Sequence, residues 1–504
     1  MIAASIGRWA GLTAFAVCLC NQLLTAESTE LENKTLHALL SISSQAFARG
    51  DYAYASEIYD VLERDFGEDA EYSGDSFQRV ILPIRGYTQL MSGRPEDAIV
   101  TLSGFLKKYP HPDRTWGVTL FTLGRAHENA NNLQDSMALY LQFEQMYSGT
   151  SEVAFAILRR AEILYRLENQ VESIQLLNTF YTSEAAYTLR IQARLRALQH
   201  CLTIEDIEAA KLILFNTEWS ISTMPELAVL SFSALHLGDL LLAANDHKSA
   251  LRCYRLTLPK TILIEAQEKR LIEIRAIYQE RAPLIAQSSD HIWADYYRQL
   301  ISRIESQLEH LKKAEDYTPG FYLRYGQALL LADRPREAWV VFETVAAEDD
   351  FNEETRSTAL YRSIVAAGAL KYWDNALQLA HQFTDTYPHS LLVPQAFYLI
   401  AEAYRSLNDY QQAINILTTL IKKYPRHSLY SRWQFNRGFC HLLDERFANA
   451  REDFNHYLNE HPSGALTVNA RFWHAQCQFF EKKYPLALNE FDDLVTAVNR
   501  HPLN

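Results

Sequence analysis

The sequence predicts an all-α chain wound as a superhelix of stacked helical hairpins. Three observations predict it. Gly (17 residues) and Pro (15) are each scarce in 504 residues, whereas sheets and barrels spend both on many tight turns. Pro388, Pro425 and Pro462 lie 37 residues apart, and Ala376, Ala413, Ala450 and Ala487 keep the same interval. An aromatic stands three residues before each alanine: Trp373, Tyr410, Phe447 and Tyr484. A fixed period of this length is the mark of a stacked array.

Each period reads as two antiparallel helices. In 394–407 the residues Phe397, Ile400, Ala401 and Tyr404 form one helical face. Asn408-Asp409 breaks the pattern, and Ala413, Ile416, Leu417 and Leu420 form the face of a second helix. Pro425 ends it, because proline cannot continue a helix. Alanine at 413 implies a close helix crossing that a larger side chain would force apart.

Going backward, the small slot of the second helix is expected at Ala55, Ala98, Ser136, Ser173, Ala209, Ala250 and Ala338. Gly86, Gly124, Gly238 and Gly326 fall where the first helix needs its small residue. GRPEDAI (93–99) and DRPREAW (333–339) are near copies, each with proline at a helix start, where its missing N–H costs nothing. About eleven units are visible. From Ala250 to Ala338 the chain runs 88 residues, 14 more than two periods of 37. The excess lies in helix-like stretches 262–281 and 290–315, the second carrying Tyr297, Ile301, Ile304, Leu308 and Leu311 at coiled-coil spacing. Such a hairpin either projects to dock a partner or forms one oversized repeat. The expected divisions are 1–26, 27–260, 261–316 and 317–504.

Residues 1–26 differ from the rest: Arg8 is the only charge before Glu27, and Trp9–Ala26 is apolar and rich in small residues. That pattern is a secretory signal with Ala26 as its last residue. Only about 12 clean apolar residues precede Asn21, short of the roughly 20 that span a bilayer. Val17 before Cys18 and Leu19 before Cys20 fit a lipid-attachment site poorly. Cleavage, retention as an anchor, lipidation, peripheral membrane association and oligomeric state stay open. Cys201, Cys253, Cys440 and Cys477 read as small buried hydrophobes, since neighbouring helices lie too far apart for a disulfide.

Lys+Arg number 48 against 61 Asp+Glu, for a net charge of −13. No basic stripe appears, so nucleic acid is not an expected partner. The common zinc, redox, phosphate-binding and nucleophile signatures are all absent. No enzyme, metal site or cofactor is expected; His441 and His474 line up in adjacent repeats without a third ligand.

The repeats resemble the tetratricopeptide (TPR) family. Its W-x2-L-G-x2-Y…A-x3-F…P pattern maps onto Phe397, Ile400, Ala401, Tyr404, Ala413, Leu417 and Pro425, then onto Gly438, His441, Ala450, Phe454 and Pro462. The resemblance implies a TPR-like solenoid whose first helices line a binding groove. The slot after the tryptophan-like position reads Leu323, Tyr361, Tyr398, Phe435 and Phe472; Arg405, Phe439 and Phe479 lie nearby. This aromatic ladder suits an extended or helical peptide, with inter-repeat packing as the alternative.

With the export signal, the repeat style is similar to bacterial cell-envelope TPR proteins of the BamD and CpoB (YbgF) type. It implies an exported scaffold or adaptor, periplasmic or outer-membrane associated, holding other envelope proteins in assembly, division or transport complexes. A fixed subunit of a secretion apparatus and a cell-wall glycan-binding protein are the alternatives.

Overall fold

The computed structural model describes residues 31, 34–183, 185–287 and 291–500. The segment 1–26, where the signal is expected, with Cys18 and Cys20, lies outside them. Twenty-four helices and no strand occur among the described residues.

They alternate as first and second helices of hairpins: α1 (Leu36–Arg49) with α2 (Tyr52–Phe66), α3 (Asp75–Met91) with α4 (Pro95–Lys108), and α5 (Arg114–Asn129) with α6 (Leu133–Met146). Next come α7 (Val153–Arg166) with α8 (Gln170–Tyr181), α9 (Tyr187–Thr203) with α10 (Ile207–Phe215), and α11 (Leu227–Ala243) with α12 (His247–Tyr254). The long pair α13 (Lys260–Gln287) and α14 (His291–Lys313) follows. The series resumes with α15 (Thr318–Leu331) and α16 (Pro335–Ala347), α17 (Glu353–Ala369) and α18 (Trp373–Thr386), and α19 (Val393–Ser406) and α20 (Tyr410–Lys423). It ends with α21 (Tyr430–Leu443) and α22 (Phe447–Glu460), then α23 (Thr467–Phe480) and α24 (Tyr484–Arg500).

One backbone device closes every repeat. A single left-handed residue separates the two helices at Gly50, Gly93, Asn131, Glu168, Glu205, Asn245, Asp333, Lys371, Asn408, Glu445 and Lys482. The next N–H returns to the carbonyl five residues back, as in Asp409 to Tyr404 (2.9 Å) and Arg446 to His441 (2.9 Å). This is a Schellman closure, which satisfies carbonyls that the helix end leaves unpaired. The eleven turns match the eleven units read from the sequence.

Five residues after each turn sits the small slot of the second helix, buried in all eleven repeats. In the fifth repeat it is Ala210; the expected Ala209 is only half-buried, so that assignment is corrected by one residue. The register follows from the turn, which falls at Glu205. Serine fills two slots because its hydroxyl has an acceptor: Ser136 donates to the Gly124 carbonyl and Ser173 to the Ala161 carbonyl, both at 2.7 Å.

The first-helix glycines mark close crossings. A Cβ on Gly326 would lie 2.4 Å from Cε1 of the buried Phe342. Gly326→Ala is therefore expected to destabilise its hairpin by about 1–3 kcal/mol. Gly104→Ala, where a Cβ meets nothing within 4 Å, is expected to stabilise α4 by about 0.5–1 kcal/mol. Thermal melts of the two variants, shifting in opposite directions, check this pair.

The chain divides into two compact units, Met1–Ser233 with Thr261–Ala314 and Ala234–Lys260 with Glu315–Asn504. The second unit closes its array directly across the long hairpin. Tyr254 of α12 packs on Phe321 of α15, Lys260 N–H donates to Thr318 (2.9 Å), and Tyr317 donates to the Leu258 carbonyl (2.5 Å). The hairpin is thus an insertion between consecutive repeats: the 88 residues from Ala250 to Ala338 hold one period of 37 and 51 more, in place of the two periods and 14 extra residues read from the sequence.

Candidate functional site: the first-helix faces

In the first unit the long hairpin lies against the first helices. The coiled-coil seam joins α14 to α13: Leu300, Ile304 and Leu308 pack with Leu271 and Ile274. The other side of α14 meets the array through apolar and polar side chains together: Ile292 is buried, and Phe155 of α7 packs on Trp293 (4.8 Å) and Tyr296 (5.1 Å). Asp295, 5% exposed, accepts from Tyr87 of α3 (2.6 Å) and pairs with Arg125 of α5 and with Arg298 of its own helix. Arg298 also reaches the hydroxyls of Tyr52 and Tyr87. Further along, Gln299 bonds Arg159 of α7, and Arg303 pairs with Glu226 (3.2 Å). His291 stacks on Tyr87 at 4.3 Å. Burial and the neighbouring Arg159 hold the Arg125 guanidinium below its ordinary value, so an anion beside it is strongly favoured.

Tyr87 and Arg125 occupy one register: each stands six residues before its turn. A second register, nine before the turn, holds Arg196, Arg324, Asn436 and Trp473. These two positions tie successive first helices together: Arg196 to Glu162 (3.0 Å), Arg324 to Asp239 (2.8 Å), Asn436 to Glu402 (3.2 Å) and Trp473 on Phe439 (5.3 Å). Three of the four pairs lie 34 residues apart, three short of the period. That offset was available in the sequence but pairs unlike residue types, so no single-residue repeat displays it.

In the second unit, Tyr398, Glu402 and Arg405 of α19 and Asn436 of α21 form one network. Asn436 donates to the Tyr398 hydroxyl (2.6 Å), and Arg405 pairs with Glu402 (2.6 Å). Burial, then Glu402, pushes the Tyr398 phenol up. Phe439 and Trp473 extend this strip. Tyr398, Arg405 and Phe439 thus come together on the first-helix face, joined by Asn436 and Trp473.

The other expected residues go elsewhere. Phe435, 9% exposed, packs on Phe454 and Tyr457 and offers no groove surface, so its place in the ladder is corrected to core packing. Tyr361 is half-buried against Phe383. Phe472 is 40% exposed beside Trp473 and Phe491. Phe479, 47% exposed, gathers with Phe480 and Tyr484 at the Lys482 turn, apart from Phe439. One period carries a ring from core to surface because it fixes the backbone position, while the neighbouring side chains differ.

His441 faces Asp453 (3.7 Å) and His474 faces Glu490 (2.8 Å). No group of three or more His, Cys, Asp or Glu that could hold a metal ion occurs among the described residues. No described helix is long and apolar enough to cross a membrane. Cys201, Cys253, Cys440 and Cys477 are buried and joined in no disulfide, and burial pushes the Cys440 and Cys477 thiols up to about 12.

The tetratricopeptide-repeat family profile matches residues 395–427, which span α19 and α20. No curated protein matches the chain. Among solved structures, MamA from Desulfovibrio magneticus RS-1 is 14% identical, with 37% of this chain and 97% of that one covered and a TM-score of 0.32. A tetratricopeptide repeat protein from Parabacteroides merdae is 14% identical, covering 57% of this chain and 99% of that one, TM-score 0.30. A Podosopora anserina kinesin light chain of TPR-like repeats is 12% identical, covering 36% and 96%, TM-score 0.33. Residues 395–427 are a tetratricopeptide repeat, and the chain is an all-α array of hairpins built on that plan, the architecture of a protein–protein interaction scaffold.

Proposed function

We propose that the protein is an exported scaffold that holds partner proteins in the bacterial cell envelope, and that the first-helix face of its second unit is where a partner segment docks. One observation carries the docking reading. The register that meets α14 in the first unit, at Tyr87 and Arg125, is occupied in the second unit by Glu402 and Phe439. Equivalent positions on the first unit therefore already hold a helix. In the second unit, the substantially packed helix pairs join array neighbours or successive first helices. The half-buried Phe439–Trp473 pair supplies apolar area, and the Glu402–Arg405 network beside it supplies directional hydrogen bonds, a combination suited to an amphipathic segment. The envelope location rests on the signal pattern of residues 1–26 and on the resemblance in repeat style.

Phe439→Ser combined with Trp473→Ser is expected to reduce co-purification of the bound envelope protein at least tenfold while helicity is retained. Phe479→Ser, outside the strip, is expected to leave it unchanged. Equal binding by both variants would remove the face from the account. A phosphatase fused after residue 26, active only after export, tests the location separately; an inactive fusion would contradict it.

A further inference from the structure

One cavity of the first unit gathers more positive charge than its own acids balance. It holds about 560 Å³ and is walled by α5, α7, α9 and α14, a volume within the range of small-molecule sites. Arg196 pairs there with Glu162 (3.0 Å) and Arg303 with Glu226 (3.2 Å), while Glu128 serves both Arg159 (3.4 Å) and Arg166 (3.7 Å). Four guanidiniums thus line the cavity with three carboxylates, in a chain whose net charge is −13. Tyr140 also donates to Glu128 (3.1 Å), so Arg166 is the cation that this carboxylate needs least. His200 lines the cavity as a neutral ring, its pKa pushed down to about 4 by burial. Each guanidinium carries five N–H donors in a fixed fork, and Arg196 and Arg303 spend one each on their glutamates. Burial, then the neighbouring Arg303, holds the Arg196 guanidinium below its ordinary value; an anion beside both relieves that repulsion. One turn beyond Arg303, Oε1 of Gln307 is buried with no hydrogen-bond donor among the described residues. Such an acceptor costs free energy until a donor reaches it.

From these groups we infer that the cavity binds a small hydroxylated anion, a carboxylate or phosphate monoester on a sugar-like body. The oxyanion takes the unused donors of Arg196 and Arg303 in forked hydrogen bonds. One hydroxyl of the body donates to Gln307 Oε1, and others donate to the glutamates. An aliphatic acid lacks these donors, and a neutral sugar lacks the charge. Throughout, α14 stays in place as one wall of the cavity. This site is separate from the face proposed above, and either reading stands without the other.

The test is isothermal titration calorimetry of the full chain, at low salt, with glucuronate, glucose 6-phosphate and glucose as probes. At least one of the two anions is expected to bind saturably with a dissociation constant below about 1 mM, and glucose to give no saturable heat. Which anion binds more tightly tells a carboxylate from a phosphate ligand. Arg166→Gln removes the surplus cation while Glu128 keeps Arg159 and Tyr140, so this variant should melt as the unsubstituted chain does. Its affinity for the anion should fall at least tenfold. Gln307→Leu, close in size, should weaken the same anion at least fivefold, the loss that follows when a hydroxyl has no acceptor. No saturable binding of either anion would overturn the proposal. Equal binding of glucose would overturn it by showing that charge plays no part, and unchanged affinity in either variant would overturn it by placing the ligand elsewhere.

Discussion

Trp433→Ala is expected to cost about 3–5 kcal/mol, the range for deleting a large aromatic from a packed core. Trp433 is fully buried in α21, where it packs with Leu417 and Leu420 of α20, and His427 stacks on its ring at 4.7 Å. In a stacked array the damage should stay with the nearest repeats, since each contacts mainly its neighbours. Hydrogen exchange should show protection falling across 393–460 while α1 to α10 keep theirs. A uniform loss over the chain would show that the repeats unfold as one.

A pH effect of comparable size is expected at His200. The ring is 7% exposed, stacks on Tyr165 at 3.9 Å, and lies 3.2 Å from Ser173 Oγ. Burial pushes its pKa down to about 4, against about 6.5 in an unfolded chain. The folded state thus holds His200 neutral while the unfolded state gains a proton as pH falls below 6.5. Its contribution is intact above that pH and is lost progressively down to about 4, a change of about 3 kcal/mol. Exchange rates in 153–203, corrected for intrinsic pH dependence, should rise more steeply toward pH 4 than in His200→Gln. Parallel profiles would exclude the histidine as the cause.

The period of 37 made the hairpins legible because alanine, glycine and proline mark fixed backbone needs: a close crossing or a helix end. The turns were legible only in part: the break at Asn408-Asp409 could be read, and most of the others could not. Gly50 and Gly93, and also Asn131, Asn245 and Asn408, are types that enter the left-handed region readily, while Glu168, Lys371 and Lys482 adopt the same conformation because the Schellman bonds and the paired helices impose it. The fifth repeat shows the consequence, where two adjacent alanines left the slot ambiguous until the Glu205 turn fixed it at Ala210.

The destination of the long hairpin was also hidden. Its apolar seam was readable, but Asp295, Arg298, Gln299 and Arg303 have the composition of a solvated helix face. Their partners Tyr87, Arg125 and Arg159 lie between 140 and 211 residues away in sequence. Periodicity reports which side of a helix is apolar, and it carries no information about which distant charges cover the polar side. For the same reason the ladder from Tyr361 to Phe472 looked uniform, although burial divides it.

In-cell photo-crosslinking from Phe439 and Asn436, with Lys422 on the outer helix α20 as control, tests the scaffold account most directly. The account predicts that one exported protein is captured from both first-helix positions and not from Lys422, through a single short segment mapped by mass spectrometry, and that Trp473→Ser abolishes the capture. Crosslinks confined to the chain itself, or equal capture from Lys422, would contradict it.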